Sequence, residues 1–302
     1  MIKRTLYFGN ACRLNVQLGQ LQATYPEAVG KASKKVPVED IGLVVIDHPQ
    51  VSITHGLSNA LIANNAAMLW CNEKHMPHGM LLPFESNQTF TEKLHRQIAV
   101  AQPLKKQLWK QTIQSKIQNQ AVVLEVFGHC PQPLIRWAEE VKSGDTDNKE
   151  ARAAAYYWSK LLGPYGVGRG REAGPPNALF NYGYAVLRAI IARSLVSSGC
   201  HPSLGIFHKN KYNPFCLADD VMEPYRPFVD AWIFQYLQEL EGILPGEELT
   251  QGDKIRLLEI PTLDVQISDK ISPLMVASQR TTASLMRCYE GDEKQILYPQ
   301  FQ

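Results

Sequence analysis

The chain has 302 residues, 45% of them hydrophobic and 20% charged, enough to bury the cores of two ordinary domains and too apolar for a disordered polymer. A formal net charge of +2 excludes a protein coated in basic residues, so a nucleic-acid partner would require Lys and Arg concentrated on one face. The six cysteines, Cys12, Cys71, Cys130, Cys200, Cys216 and Cys288, form no CxxC pair, which argues against a structural zinc site and for thiols in a reducing compartment. The opening Met1-Ile2-Lys3-Arg4 leads into a strand-like run rather than a signal peptide, and no apolar stretch approaches the ~18 residues of a membrane span. A soluble cytoplasmic protein, with no membrane partner, is the expectation.

In chain order, Thr5–Phe8 reads as a strand ending at the Gly9-Asn10 turn, and Leu14, Val16 and Leu18 alternate with polar residues as a half-buried strand does. Residues 41–46 (IGLVVI) are a continuous apolar run suited to a more deeply buried strand, and Val51 and Ile53 give another short one. Leu57, Leu61, Ile62, Asn65, Met68 and Leu69 recur at helical spacing, and Gly79–Leu82 reads as a last strand before Pro83. Beyond Phe84 strand signals nearly vanish. Helical periodicity runs through Leu94–Ala101, Leu104–Ile117 (Pro103 at the break), Leu134–Val141, Ala151–Leu162, Asn177–Leu195, Phe228–Leu240 and Leu274–Tyr289. The fold class is therefore α+β, with a small β-rich domain over residues 1–84 and a larger all-α domain over residues 85–302.

Three polar features lie between Glu150 and Pro227. Glu150 opens an alanine-rich helix, where the helix dipole alone favours a carboxylate. His208 follows the apolar Leu204-Gly-Ile-Phe, a setting usual for a hydrogen-bonded core histidine. Asp219, Asp220 and Glu223 flank an apolar helix; as an N-cap they need no further explanation. Yet Asp220 and Glu223 stand at i and i+3, on one helix face, and repel unless a cation or an Arg neutralises them. A histidine with carboxylates suits Mn²⁺ or Mg²⁺. Nothing in the spacing proves that Glu150 reaches the other two.

The glycine-rich run from Gly163 to Gly174 is neither a dinucleotide fingerprint nor a Walker A loop. It reads either as a surface loop or as a mobile loop presenting Arg169 and Arg171 to phosphates. Lys105, Lys106 and Lys110 on one helix form either a second phosphate stripe or a solvated face.

The Asn177–Leu187 run, Gly199–His208, and Asp220-Val-Met-Glu223-Pro-Tyr-Arg226-Pro227 together resemble the CRISPR-associated spacer-acquisition integrase family, nearly along the whole chain and in order. The Glu150-Ala-Arg-Ala-Ala stretch resembles that family's first catalytic Glu motif. Thr5-Leu-Tyr-Phe-Gly-Asn and Thr54-His-Gly-Leu-Ser-Asn, with the Lys209–Phe215 loop, resemble its type II form. The resemblance implies that Glu150, His208 and Glu223 hold a catalytic Mg²⁺ or Mn²⁺, with Asp220 a further acidic residue ligating directly or from behind. His201, in a stretch that departs from the family's Gly-Leu-x-Pro, is not expected to ligate.

The resemblance also implies a function in antiviral defence: metal-dependent transesterification, in which the 3′-hydroxyl of a captured DNA fragment attacks a phosphodiester at the edge of a CRISPR repeat. Its implied partners are double-stranded DNA, as spacer precursor and repeat, a second copy of the chain joined through the β domain, and a small ferredoxin-like subunit that bridges two homodimers into a heterohexamer. Two alternatives remain: a plain metal-dependent nuclease with no integration role, and a non-catalytic DNA-binding scaffold.

Overall fold

In the computed structural model, residues 3–83, 87–170, 174–241 and 244–301 are described. The N-terminal region builds two four-stranded sheets from β1 (Arg4–Phe8), β2 (Cys12–Gln17), β3 (Gln20–Thr24), β4 (Lys34–Pro37), β5 (Ile41–Ile46), β6 (Val51–Ile53), β7 (Ala67–Cys71) and β8 (Pro77–Leu81), with α1 (His55–Ala63) between β6 and β7. One sheet has the order β1-β5-β7-β8, parallel except for β8, and the other the order β4-β3-β2-β6.

The apolar run of β5 follows from its place in the first sheet, because both of its faces are covered. Successive side chains point to opposite faces. Leu43 and Val45, with Ala67 and Leu69 of β7, pack into the core of the helical region. Val44 and Ile46, with Met68, pack the other way against Leu14, Leu21, Leu57 and Leu61. The first sheet is thus shared by two cores and fixes how the N-terminal region sits on the helices.

The N-terminal region departs from its local sequence pattern at two places. The helical spacing read through Met68 and Leu69 stops at Ala63; Asn64 caps α1, Asn65 takes a left-handed φ of 53°, and the chain enters β7. Pairing with β5 and burial on both faces outweigh the local periodicity. Leu18, read as an inward strand residue, is the tip of the β2–β3 turn, at φ 51° and 94% exposed.

The helical region comprises α2 (Phe90–Ala99), α3 (Gln102–Val126), α4 (Gln132–Glu139), α5 (Lys149–Leu161), α6 (Asn177–Ser197), α7 (Cys216–Met222), α8 (Arg226–Glu239), α9 (Gln251–Leu257) and α10 (Leu274–Glu290). It is not all-α: β9 (Asp264–Ile267) and β10 (Lys270–Pro273) form an antiparallel hairpin, with Ser268 at φ 53° in its turn. The hairpin buries only Val265 and Ile267, too short a pattern to stand out in sequence. No described helix is long and apolar enough to cross a membrane.

Two connections anchor the regions. Arg193 of α6, 2% exposed, donates from Nε to the carbonyl of Asn65. Lys254 of α9 pairs at 2.9 Å with Asp47, just after β5; this carboxylate also accepts from Tyr7 Oη at 2.6 Å and contacts His75 Nδ1 at 2.9 Å.

Candidate active site

Two elements bring carboxylates to one cation carried by a third, α3. α3 is held by Asn119, whose Nδ2 donates to the carbonyls of Pro224 (2.9 Å) and Pro299 (3.0 Å). That bond ties α3 to the single 3-10 turn Glu223–Tyr225, which links α7 to α8. α5 starts where Asp145 accepts from the backbone amides of Lys149 (2.8 Å) and Glu150 (3.0 Å), satisfying donors that a helix start leaves orphaned. From α3, the Lys116 ammonium lies 2.7 Å from Glu150 Oε1 and 2.6 Å from Glu223 Oε2. Arg226 Nε lies 2.9 Å from the other Glu223 oxygen, Oε1. Burial opposes ionisation of Glu223, but Arg226 and Lys116 outweigh it and hold the carboxyl below its usual range.

His208 stands beside this pair on the loop before α7. Its Nδ1 is bonded to Asp220 Oδ1, and Asp220 also accepts from the backbone amide of Phe207 at 2.9 Å. Asp220 is wholly buried and committed to orienting the imidazole and its loop. The bond to Asp220 raises the His208 pKa against the effect of burial, and the charges of Glu223 and Glu150 add to the rise. The Trp109 ring stacks on Phe207 at 4.4 Å and meets His208 edge-on at 5.6 Å. Gly205 is required by close approach: a Cβ there would collide with the His208 carbonyl and stand 2.9 Å from Asp220 Oδ2.

The three acidic residues of the Asp219–Glu223 segment do not share one ion. Each has its own partner: Asp219 is held by Arg188 (2.6 and 3.1 Å), Asp220 by His208, and Glu223 by Arg226 and Lys116. Among the described residues, no three His, Cys, Asp or Glu side chains form a ready metal cage as they lie. The donor set nonetheless fits a divalent cation. Glu150 and Glu223 already share one positive charge, and buried Glu223 Oε2 has a charge partner but no aligned hydrogen-bond donor. With Nδ1 of His208 taken by Asp220, Nε2 is the nitrogen left to ligate, the usual carboxylate–histidine–metal pattern. His201 is exposed and bonds Ser203 instead.

A cleft of about 910 Å³ opens beside Glu223 and Lys116. Its wall carries Lys74, Arg169, Arg188 and Arg226, so basic side chains outnumber the acidic Glu223 and Asp230. Such a local concentration of charge is what a nucleic-acid partner would require of a near-neutral chain. Neither Glu150 nor His208 belongs to the wall.

Arg169 is part of that wall rather than a free loop residue. Its guanidinium donates to Asn177 Oδ1 (2.9 Å) and Asn181 Oδ1 (3.1 Å) and lies over the Trp158, Phe180 and Tyr184 rings at 5.3 to 5.7 Å. Arg171 lies outside the described residues. On α3, Lys106 is exposed and Lys105 and Lys110 are half-buried. Arg169→Ala is expected to weaken DNA binding and flatten its salt dependence, and also to lower the melting temperature because packing is lost with the charge. Unchanged affinity and salt slope would remove Arg169 from the DNA-contacting set.

Asp230, on the same wall, is 1% exposed and accepts from Tyr157 Oη at 3.0 Å and from Tyr184 Oη. Burial pushes its carboxyl from 3.8 up to about 6. Between those values the unfolded chain has released a proton that the folded chain retains. Stability from this group therefore falls as pH rises from about 4 to about 6, by roughly 3 kcal/mol. Asp230→Asn is expected to flatten that part of the stability–pH curve; an unchanged slope in urea unfolding would place the titration elsewhere.

Sequence reasoning missed Lys116, Arg188 and Arg226 as parts of the site. Lys116 had one signal: it adjoins Ile113 and Ile117 in the apolar stripe of its helix, which places it on the buried side.

The fold and the site together define a β-rich platform carrying a helical domain, with paired carboxylates and a carboxylate-oriented histidine beside a basic cleft. The family model for CRISPR associated protein Cas1 matches residues 8–243, and the chain belongs to this family. It is similar to the CRISPR-associated endonuclease Cas1 of Neisseria meningitidis serogroup C, 39% identical over 89% of this chain and 85% of that one. A second such endonuclease, from Saccharolobus solfataricus, is 28% identical over 76% of this chain and 77% of that one. Among solved structures, a casposase bound to integration product superposes with a TM-score of 0.79 at 18% identity, covering 98% of this chain and 92% of that one. A Cas1 protein from Thermotoga maritima gives 0.75 at 16% identity, covering 96% and 98%. At these identities the structural likeness is one of fold.

Proposed function

We propose that the chain is a metal-dependent DNA endonuclease and integrase that inserts captured DNA fragments into a CRISPR array by transesterification. The observation that carries this reading is the convergence of Glu150, from α5, and Glu223, from the turn between α7 and α8, on one cation near the Asp220-oriented His208 and a basic cleft. The similarity to Cas1 endonucleases and the fold shared with a casposase bound to integration product support it.

Glu150, Glu223 and His208 would hold Mg²⁺ or Mn²⁺, which when bound supplies Lewis-acid polarisation of a phosphodiester. Asp220 keeps the imidazole in one tautomer and orientation. Arg188, Arg226 and Arg169 give the cleft the positive potential that draws a DNA backbone in. Orienting the attacking 3′-hydroxyl in line needs no covalent enzyme intermediate, so no activated Ser, Cys or Tyr is required.

The partners in this reading are double-stranded DNA, a second copy of the chain, and a small ferredoxin-like subunit that bridges two homodimers, in the cytoplasm. A fold shared with a chain of a Cas6-RT-Cas1–Cas2 complex supports the bridging partner. The test is a joining assay with the purified partner, a DNA fragment and a plasmid carrying a repeat. Joined product is expected with a 3′-hydroxyl end and none with a 3′-deoxy end. Cleavage without joining would make the chain a plain nuclease; no activity with either metal would leave a binding scaffold.

A further inference from the structure

The charges around Glu150 and Glu223 balance without any added ion. Two carboxylates face two cations, Lys116 and Arg226, and among the described residues Lys116 alone touches both carboxylates. Its side chain is 9% exposed, so the ammonium has little water to fall back on and depends on the pair. Asn119, one turn along α3, is bonded to the carbonyls of Pro224 and Pro299, so the helix that carries Lys116 is fixed against the turn that carries Glu223. Asp219 and Asp220 are engaged elsewhere, by Arg188 and His208, and offer Lys116 no substitute.

A divalent cation gripped by both carboxylates would meet Lys116 at the oxygens the ammonium already holds. Two positive charges cannot share those oxygens at contact distance without strong repulsion. We infer that Lys116 is a built-in counter-ion that competes with the divalent metal for Glu150 and Glu223, keeping the carboxylates converged and setting the concentration at which metal loads. This inference rests on the reading of Glu150 and Glu223 as metal ligands. Lys116 acts here as a positioning residue, through the carboxylates.

The test is calorimetric titration of Mn²⁺ into the full-length chain as wild type, Lys116→Met, Lys116→Gln and Glu150→Gln, each also melted with and without Mn²⁺. Lys116→Met and Lys116→Gln are expected to bind Mn²⁺ at least tenfold more tightly than wild type. They should melt lower without the metal and gain more on its addition. A wild type that binds no measurable Mn²⁺ beside a Lys116 variant that does is the same result in stronger form.

Folded Lys116 variants that bind Mn²⁺ equally or more weakly overturn the competition while leaving the metal site intact. Variants that do not fold, and that Mn²⁺ does not restore, make Lys116 a scaffold residue and overturn it too. If no protein binds Mn²⁺, or if wild type binds it measurably and Glu150→Gln binds it equally well, the metal-ligand reading itself falls and the inference with it.

Discussion

Glu150→Gln is expected to lower DNA cleavage and joining by about a thousandfold or more while the protein stays folded. On the proposed reading Glu150 is a metal ligand, and its loss removes several kcal/mol of transition-state stabilisation, worth roughly three orders of magnitude in rate. Glu150 is the cleanest site for this test. Its side chain is 24% exposed and its Lys116 partner keeps Glu223, so the amide leaves no buried charge alone.

Glu223 behaves differently. It is 5% exposed and pairs with both Arg226 and Lys116, so Glu223→Ala takes from the half-buried Arg226 its carboxylate partner and leaves the buried Lys116 with Glu150 alone, at a cost of about 3 kcal/mol. Activity and melting temperature should fall together there, and activity alone in Glu150→Gln. Single-turnover cleavage in Mn²⁺, with melting curves for both variants, separates the two. Retention of more than a tenth of wild-type activity by Glu150→Gln would defeat the site.

Asp47→Ala is expected to be among the most destabilising single changes in the N-terminal region. Asp47 is 4% exposed and serves Lys254, Tyr7 and His75 at once; without it the Lys254 ammonium, 6% exposed, is buried unpaired. A broken buried pair costs about 3–5 kcal/mol, or roughly 5–8 °C in melting temperature for a chain of this size. Burial raises the Asp47 carboxyl, but hydrogen bonds from Tyr7, Lys254 and His75 outweigh it and the folded pKa lies below 3.8. This contribution is therefore complete at neutral pH and is lost only as pH falls below 3.8 and through the folded value. Lys254→Met should cost less, since Asp47 keeps Tyr7 and His75. A melting shift under about 2 °C for Asp47→Ala would mean that the network does not join the two regions.

The long helices α3, α6 and α10 and the buried strand β5 were legible in sequence because burial imposes a period that a single segment displays. Glu150, His208 and Glu223 stood out in sequence as candidate metal-binding groups, through residue type and resemblance. The split of the Leu57–Leu69 run into α1 and β7 was not legible, because pairing with β5 decided it from outside the segment. The β9–β10 hairpin was too short to register.

Within the site, the sequence determined which groups could carry a metal reaction, since residue types are local facts. Only the tertiary structure decided how those groups are balanced: that Asp220 serves His208, that Arg188 takes Asp219, and that Lys116 stands between Glu150 and Glu223. Charge pairing depends on distances between helices far apart along the chain, and no local pattern of residues encodes those distances.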